Sequence, residues 1–581
     1  MTRPVDVPNQ QMEHHAQSPV DLLSRMLADL QSRTATWLAG RERLAITEVF
    51  RSLDMCAFAF RMAPNRADLV MRDRARHWML SGAAFALKPL LHAVSTCEGP
   101  MPWGPSAAKW TAAIDTYLVQ CGQLAWVHRL ASLERYGLSR VTVKGSHMRI
   151  EVEPGEPEGA DRAALMWLTA RRLDDAGVQG DIGLAKGQLK RLRRRLDKKS
   201  GTDMGGWFIR YSGDEGLLER SRRRVRELEP CWLESEALPD AAVIGGRTFR
   251  EWKDACCAAA AAVLHHLEFA TRLRATHPDV ELRNLLTIFL RRDDAAEIWK
   301  ERGVDLDSLD AVSRAMMLDH ASVSASLDHH DTPFPFYVDL GREFILAPSM
   351  SALLNPFVGV VRHLRSQYRG EWDRAVDSRE PVFRADIARL FKPPRFDVLP
   401  SVAPLKRPDG TLLTDVDAVV VDRSTGTICL VQLKWHDIFG HSLRERESRK
   451  RNLLAANDWV ERVSAWIGER SSADVAEAIG VSTLPGRQLA RPVILVVARY
   501  AARFSGPGRY AARSGWLSWP ELVRSVGSAS SDSDVLRDIA DTFAGTDRSA
   551  VVSDKPSETF TSLRFQGLEV EVAGPAGARQ E

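Results

Sequence analysis

The stretch Thr414–Lys434, TDVDAVVVDRSTGTICLVQLK, leaves the chain little conformational freedom. Apart from Asp417, residues 416 to 421 are all Val and Ala, and Thr427–Leu433 is mostly apolar. Short runs rich in β-branched residues are expected to form buried strands. Between them, Asp422–Gly426 supplies turn residues. A turn over Arg423–Gly426 pairs Asp422 with Thr427. Continued, that register sets Asp417 opposite Gln432 and Asp415 opposite Lys434. Side chains alternate faces along a strand, so the four polar groups are expected on one face, opposed pairs having Cβ atoms about 5 Å apart.

A carboxylate and an ammonium in a buried sheet are costly unless paired or metal-bound. A salt bridge closing the end of a sheet would satisfy them; so would a metal site. The order of the residues bears on that choice. An Asp, an apolar run, a turn, a second apolar run and Gln432-Leu433-Lys434 resemble the core of the PD-(D/E)xK nuclease superfamily, in a Q-x-K form similar to Mrr-like restriction endonucleases. The resemblance implies that Asp417, the Gln432 side chain and the Leu433 carbonyl hold a divalent ion, Mg²⁺ or Mn²⁺, while Lys434 orients the attacking water. Gln replaces the commoner acid and removes one charge from the set. The resemblance also implies a carboxylate from the first helix. Glu380, at the helix start, matches best and Asp386 is the rival, although the helix dipole alone favours an acid at such a position. His436 and His441 flank the site and are given no catalytic role.

The resemblance covers residues 366–526 and implies an α/β restriction-endonuclease-like domain, a mixed sheet flanked by helices. The expected order is a helix Glu380–Phe391, strands Phe396–Leu405, Leu412–Asp422 and Thr427–Trp435, a crossover helix His441–Ile467, a strand Arg491–Tyr500 and a closing helix Leu517–Val526. The Arg491–Tyr500 run is apolar on both faces, as a buried parallel strand requires. Pro408-Asp409-Gly410 marks a turn after the first strand.

Upstream, residues 18–330 carry mainly helical periodicity, and residues 1–17 read as a flexible start. Val280–Leu290 and Ala295–Leu318 are expected to be helices. A hairpin is expected at Ser139–Val152, a linker at residues 154–159 (PGEPEG), and a connecting hairpin and helix over 331–365. Lys186–Lys199 (KGQLKRLRRRLDKK) sets Leu189, Leu192 and Leu196 on one face of a basic helix. Lys190, Arg193, Arg194 and Arg195 are its candidate nucleic-acid contacts; a solvated helix docked by its Leu stripe is the other reading. Arg220–Arg226 is balanced by acids and reads as an exposed helix. The pairs His265-His266 and His329-His330 match no metal-ligand spacing. Residues 527–581 read as linker, short helix and disordered tail.

Composition narrows the class. Of 79 basic residues 65 are Arg, a bias that suits phosphate but that a GC-rich genome also produces, and the net charge of +3 rules out a generic polycation. Seven Cys without a C-x-x-C argue against a disulfide framework or a zinc site. No secretory signal or membrane-length run is present, so a cytoplasmic, bacterial protein without membrane partners is expected. No P-loop, G-x-S-x-G or H-E-x-x-H motif occurs. The expectation is a multidomain chain, largely helical and then α/β, acting on DNA as a metal-dependent endonuclease in restriction or anti-phage defence. A second copy or a defence-system protein are its candidate partners. A degenerate nuclease fold acting as a DNA-binding scaffold, and a repair or recombination nuclease, are the alternatives.

Overall fold

The computed structural model describes residues 18–62, 69–98, 104–152, 158–175, 186–203, 208–211, 214–301, 306–328, 332–437, 443–481, 488–504, 508, 510–545 and 559–574. The expectations for residues 1–17, most of the 154–159 linker, His329, His330, His441 and part of the tail fall outside them. No described helix is long and apolar enough to cross a membrane.

The chain is multidomain and of mixed α and β structure. Four long helices, Pro19–Leu38, Glu42–Met62, Leu69–Val94 and Ala108–Ser132, and the later helix Phe249–Thr276 share one large apolar core. Two close helix approaches need glycine: a Cβ on Gly82 would collide with the Leu118 carbonyl oxygen, and one on Gly122 with that of Trp78. The expected hairpin is present as Ser139–Lys144 paired with His147–Val152.

This region is less purely helical than its periodicity suggests. Ile288–Arg291 and Met317–Leu318, expected within helices, are outer strands of a four-stranded sheet whose inner pair is Phe344–Ala347 and Tyr337–Asp339. The expected disordered tail also needs correction. Val535–Thr542 is the short helix, but Thr559–Phe565 and Leu568–Gly574 form a hairpin that adds in parallel to His147–Val152. Its turn, Gln566-Gly567, has φ of 38° and 88°, and glycine makes the second value accessible.

The α/β unit follows. Its elements are α1 (Arg379–Leu390), β1 (Phe396–Val398), β2 (Ala418–Asp422), β3 (Thr427–Lys434), α2 (Leu443–Gly468), β4 (Val493–Ala498), β5 (Gly515–Ser518) and α3 (Trp519–Ser528). The sheet runs in the order β1, β2, β3, β4, β5; β2 is antiparallel to both β1 and β3, whereas β4 and β5 are parallel to β3 and β4. Val420, Cys429, Val431, Leu495 and Val497 pack on α1 and α3. The alternate residues Val419, Val421, Ile428, Leu430, Ile494 and Val496 pack on α2. Burial on both faces accounts for the unbroken apolar runs.

Three boundaries differ from the sequence reading, the expected strand Leu412–Asp422 being split at Asp417 into Leu412–Val416 and β2. The stretch read as one first strand is two: β1, and Ala403–Lys406, which leaves the sheet to pair with Leu412–Val416. Leu517 lies in β5, and the closing helix starts at Trp519.

Candidate functional site

The DRSTG turn works as its composition suggests. The Asp422 carboxylate accepts from the Ser424 N–H at 2.8 Å, and Asp422 faces Thr427 across the ladder. That pairing runs to Ala418 opposite Val431 and so presents Asp417 to Gln432. There the Gln432 amide nitrogen donates to Asp417 Oδ2, and the Leu433 N–H donates to the same oxygen at 2.7 Å. Both bonds land on Oδ2, which leaves Oδ1 for another partner.

Asp415 does not join them. Past Asp417 the chain leaves the central sheet, and Asp415 stands exposed opposite Pro404 in the side hairpin. Trp459 of α2 fixes the departure by donating its indole N–H to the Asp415 carbonyl at 2.8 Å. The β2 ladder therefore ends before Lys434, which pairs on the other edge of β3 with Ala498 of β4.

Glu380 lies in the first turn of α1 and Arg384 follows one turn later. The Arg384 guanidinium pairs with the Glu380 carboxylate, and its Nε donates to the Asp417 carbonyl. Arg384 thus ties the helix start to the end of the strand. Asp386 is committed elsewhere, to Arg499 at 2.5 Å and Arg389 at 2.7 Å. Of the two candidate helix acids, Glu380 is the one near Asp417.

The electrostatics match this placement. Asp417 is only 7% exposed, and burial pushes its carboxyl up to about 6, with Glu380 adding repulsion while the Leu433 N–H, Lys434 and Gln432 oppose the rise. Burial lowers the Lys434 ammonium, and the Asp417 and Glu380 carboxylates counter that effect. Both groups thus sense one another and Glu380. His436 is pushed down to about 4, by burial first and then by Arg449 and Lys434. Its Nε2 is buried without a hydrogen-bond partner among the described residues.

Two carboxylates, an amide oxygen and a strand carbonyl would make a hard-oxygen donor set, of the kind that suits Mg²⁺ or Mn²⁺. A cation there would offset both the burial that chiefly raises Asp417 and the added repulsion from Glu380. The present contacts are those of a closed pair, with Gln432 offering its nitrogen to Asp417 and Arg384 covering Glu380. Gln432 would have to turn its oxygen inward to act as a ligand. Among the described residues there is no group of three or more His, Cys, Asp or Glu placed to hold a metal.

The basic helix Lys186–Lys199 lies apart from these residues in the fold. Leu196 and Leu192 pack with Leu217, Phe269 and Tyr211, so the helix is docked by its Leu stripe. Lys190, Arg193 and Arg194 are exposed. Arg195 is exposed as well, but its Nε also bonds Asp214 Oδ2 at 2.6 Å, and Asp214 caps the helix Glu215–Leu228. Arg195 thus ties its helix to the next one through an ion pair. The neighbouring Arg220–Arg226 run is neutralised by Glu215, Glu219, Glu227 and Glu268.

A third basic run went unread in the sequence. Gln432 and Lys434 continue the row of Ile428 and Leu430, which faces α2. The opening turns of α2 carry Arg444, Arg446, Arg449, Lys450 and Arg451, and Arg449 is close enough to His436 to depress its basicity. The charge run RESRKR at 446–451 was the available signal.

No family model, curated protein or solved structure matches the chain.

Proposed function

We propose that this chain is a metal-dependent endonuclease of restriction-endonuclease-like fold that hydrolyses phosphodiester bonds in DNA. One observation carries the reading: Asp417, Gln432 and the Leu433 backbone are bonded to one another beside Lys434 and Glu380, at the end of a mixed sheet. The element order, helix, three antiparallel strands, crossover helix and parallel strand, supports it as well. A role in restriction or anti-phage defence rests on analogy alone.

A divalent cation held by Asp417, Gln432, the Leu433 carbonyl and Glu380 would acidify water and stabilise charge at the scissile phosphate. The protein's own groups do the rest. Lys434, held half-buried by β4, directs an ammonium to the phosphate oxygens and the attacking water. Arg384 keeps Glu380 and the Asp417 backbone in register. The opening turns of α2 supply cations for the flanking phosphates. The Gln432 amide donating to Asp417 favours one competing reading, a degenerate site that only binds or scaffolds DNA.

Incubating the protein with plasmid, linear duplex, branched and single-stranded DNA, with Mg²⁺, Mn²⁺ or chelator, separates these readings. Metal-dependent cutting by the wild type and none by Lys434→Ala is the expected result. Binding without cutting under every condition would establish the scaffold reading, and cutting confined to branched DNA a repair role.

The two basic surfaces are separable by salt dependence. A side chain that neutralises one phosphate contributes about 0.9 to the log–log slope of duplex binding against salt. Lys450→Glu with Arg451→Glu is expected to flatten the slope. Arg193→Glu with Arg194→Glu should flatten it only if the Lys186–Lys199 helix also tracks DNA. An unchanged slope for the first pair would remove α2 from the interface.

A further inference from the structure

A short segment of the helical region reaches toward the candidate site. Leu233–Glu236 is a single 3₁₀ turn, yet Glu236 and Ala237 contact two buried arginines of the α/β unit. The Glu236 carboxylate bonds Arg499 at 2.9 Å and, from the helical side, Arg172 at 2.7 Å. The Ala237 carbonyl accepts from Arg379 Nε at 2.8 Å.

Both arginines adjoin residues of the candidate site. Arg379 directly precedes Glu380 and also pairs with Asp437 at 2.5 Å, three residues beyond Lys434. Arg499 directly follows β4, and its N–H donates to the Lys434 carbonyl at 2.7 Å. Its guanidinium pairs with Asp386 of α1 at 2.5 Å and lies among the rings of Trp435, Phe383 and Trp519, with centroids 4.7, 5.2 and 5.4 Å away. One residue therefore links the strand carrying Lys434, through its backbone N–H, with the helix carrying Glu380 and the helical region, through its guanidinium.

We propose that Glu236 is a positioning residue for this site: by neutralising and orienting Arg499, it lets the helical region set the relative placement of Lys434 and Glu380. The proposal rests on the nuclease reading for its catalytic consequence, not for its structural one. Without Glu236, Arg499 keeps Asp386 but is left with excess positive charge in an apolar setting. Its guanidinium then gains by moving toward solvent, and the bond from its N–H to the Lys434 carbonyl loosens with it. Displacements of about 1 Å at such a site can cost about a hundredfold in rate.

The test compares wild type, Glu236→Ala and Glu236→Gln as full-length proteins. The first readout is hydrogen exchange at the Arg499 amide, which reports its bond to Lys434 directly and needs no activity. The second is plasmid cleavage, resolved into kcat and KM. Glu236→Ala is expected to exchange the Arg499 amide about tenfold faster and to lose about tenfold or more in kcat with KM for DNA unchanged. Glu236→Gln, which keeps an oxygen for Arg499, should fall between, and it carries the test if Glu236→Ala does not fold. Unchanged exchange at Arg499 in a folded variant would overturn the proposal. So would equal kcat in a wild type and variant that both cut DNA. Faster exchange in a protein that never cuts would support the positioning role and overturn the nuclease reading instead.

Discussion

Asp417→Asn is expected to eliminate metal-dependent DNA cleavage, by about a thousandfold or more, and at the same time to make the metal-free protein more stable. The two effects share a cause. The buried Asp417 carboxyl titrates at about 6 rather than the ordinary 3.8, chiefly because burial disfavours its charge. The folded protein therefore holds this proton to higher pH than the unfolded chain does. Stability from this group is greatest below about pH 4 and declines as pH rises through about 6. A rise of that size corresponds to about 3 kcal/mol at pH 8. Asn keeps the oxygen that the Leu433 N–H needs and carries no charge. In chelator at pH 8 its melting temperature should exceed that of wild type, and at pH 4 the difference should vanish. Added Mg²⁺ should reverse the order at pH 8, because a bound cation stabilises only the form that binds it. Equal melting curves at pH 8 would show that Asp417 is better solvated than its surroundings indicate. The absence of any Mg²⁺ shift in wild type would remove the metal from the reading. Lys434→Ala should lose cleavage equally but keep the Mg²⁺-induced stabilisation, since it leaves the oxygen ligands in place.

What the sequence could reveal depended on how local the determinant was. The pairing of Asp422 with Thr427, and from it the meeting of Asp417 and Gln432, follows from a short turn between two apolar runs. The error at Asp415 has a physical origin. Alternation shows which residues share a face only while the chain stays in one sheet, and nothing in TDVDA marks the exit after Asp417. The exit is fixed by contacts remote in sequence, the side hairpin with 403–406 and the indole N–H of Trp459. The last hairpin was partly legible and was obscured by composition: Leu563–Phe565 and Leu568–Val572 alternate around Gln-Gly, but the Ser, Gly and Pro on either side suggested disorder. The contact of Glu236 with Arg499 spans 263 positions. No periodicity or motif points from one to the other, so only the folded chain brings them together.

Gln432 decides whether this constellation is a working site or a relic. In the structure its amide nitrogen donates to Asp417 Oδ2, the oxygen that also accepts from the Leu433 N–H. Gln432→Glu replaces that donor with a second carboxylate. Without metal, two like charges would face each other in a largely buried setting, and one carboxyl should titrate well above the range usual for acids. The metal-free variant is therefore expected to be less stable than wild type above about pH 6 and to recover as the pair takes up a proton. With metal the added charge becomes a ligand, so the Mg²⁺ concentration giving half-maximal cleavage should fall, by about tenfold or more, with activity kept or raised. Gln432→Leu has similar bulk but neither donor nor oxygen. It leaves Asp417 with the Leu433 N–H alone and removes a ligand, so cleavage should be abolished. A Gln432→Leu protein that cuts DNA as wild type does would mean that the residue only packs, and that its meeting with Asp417 has no part in binding a metal.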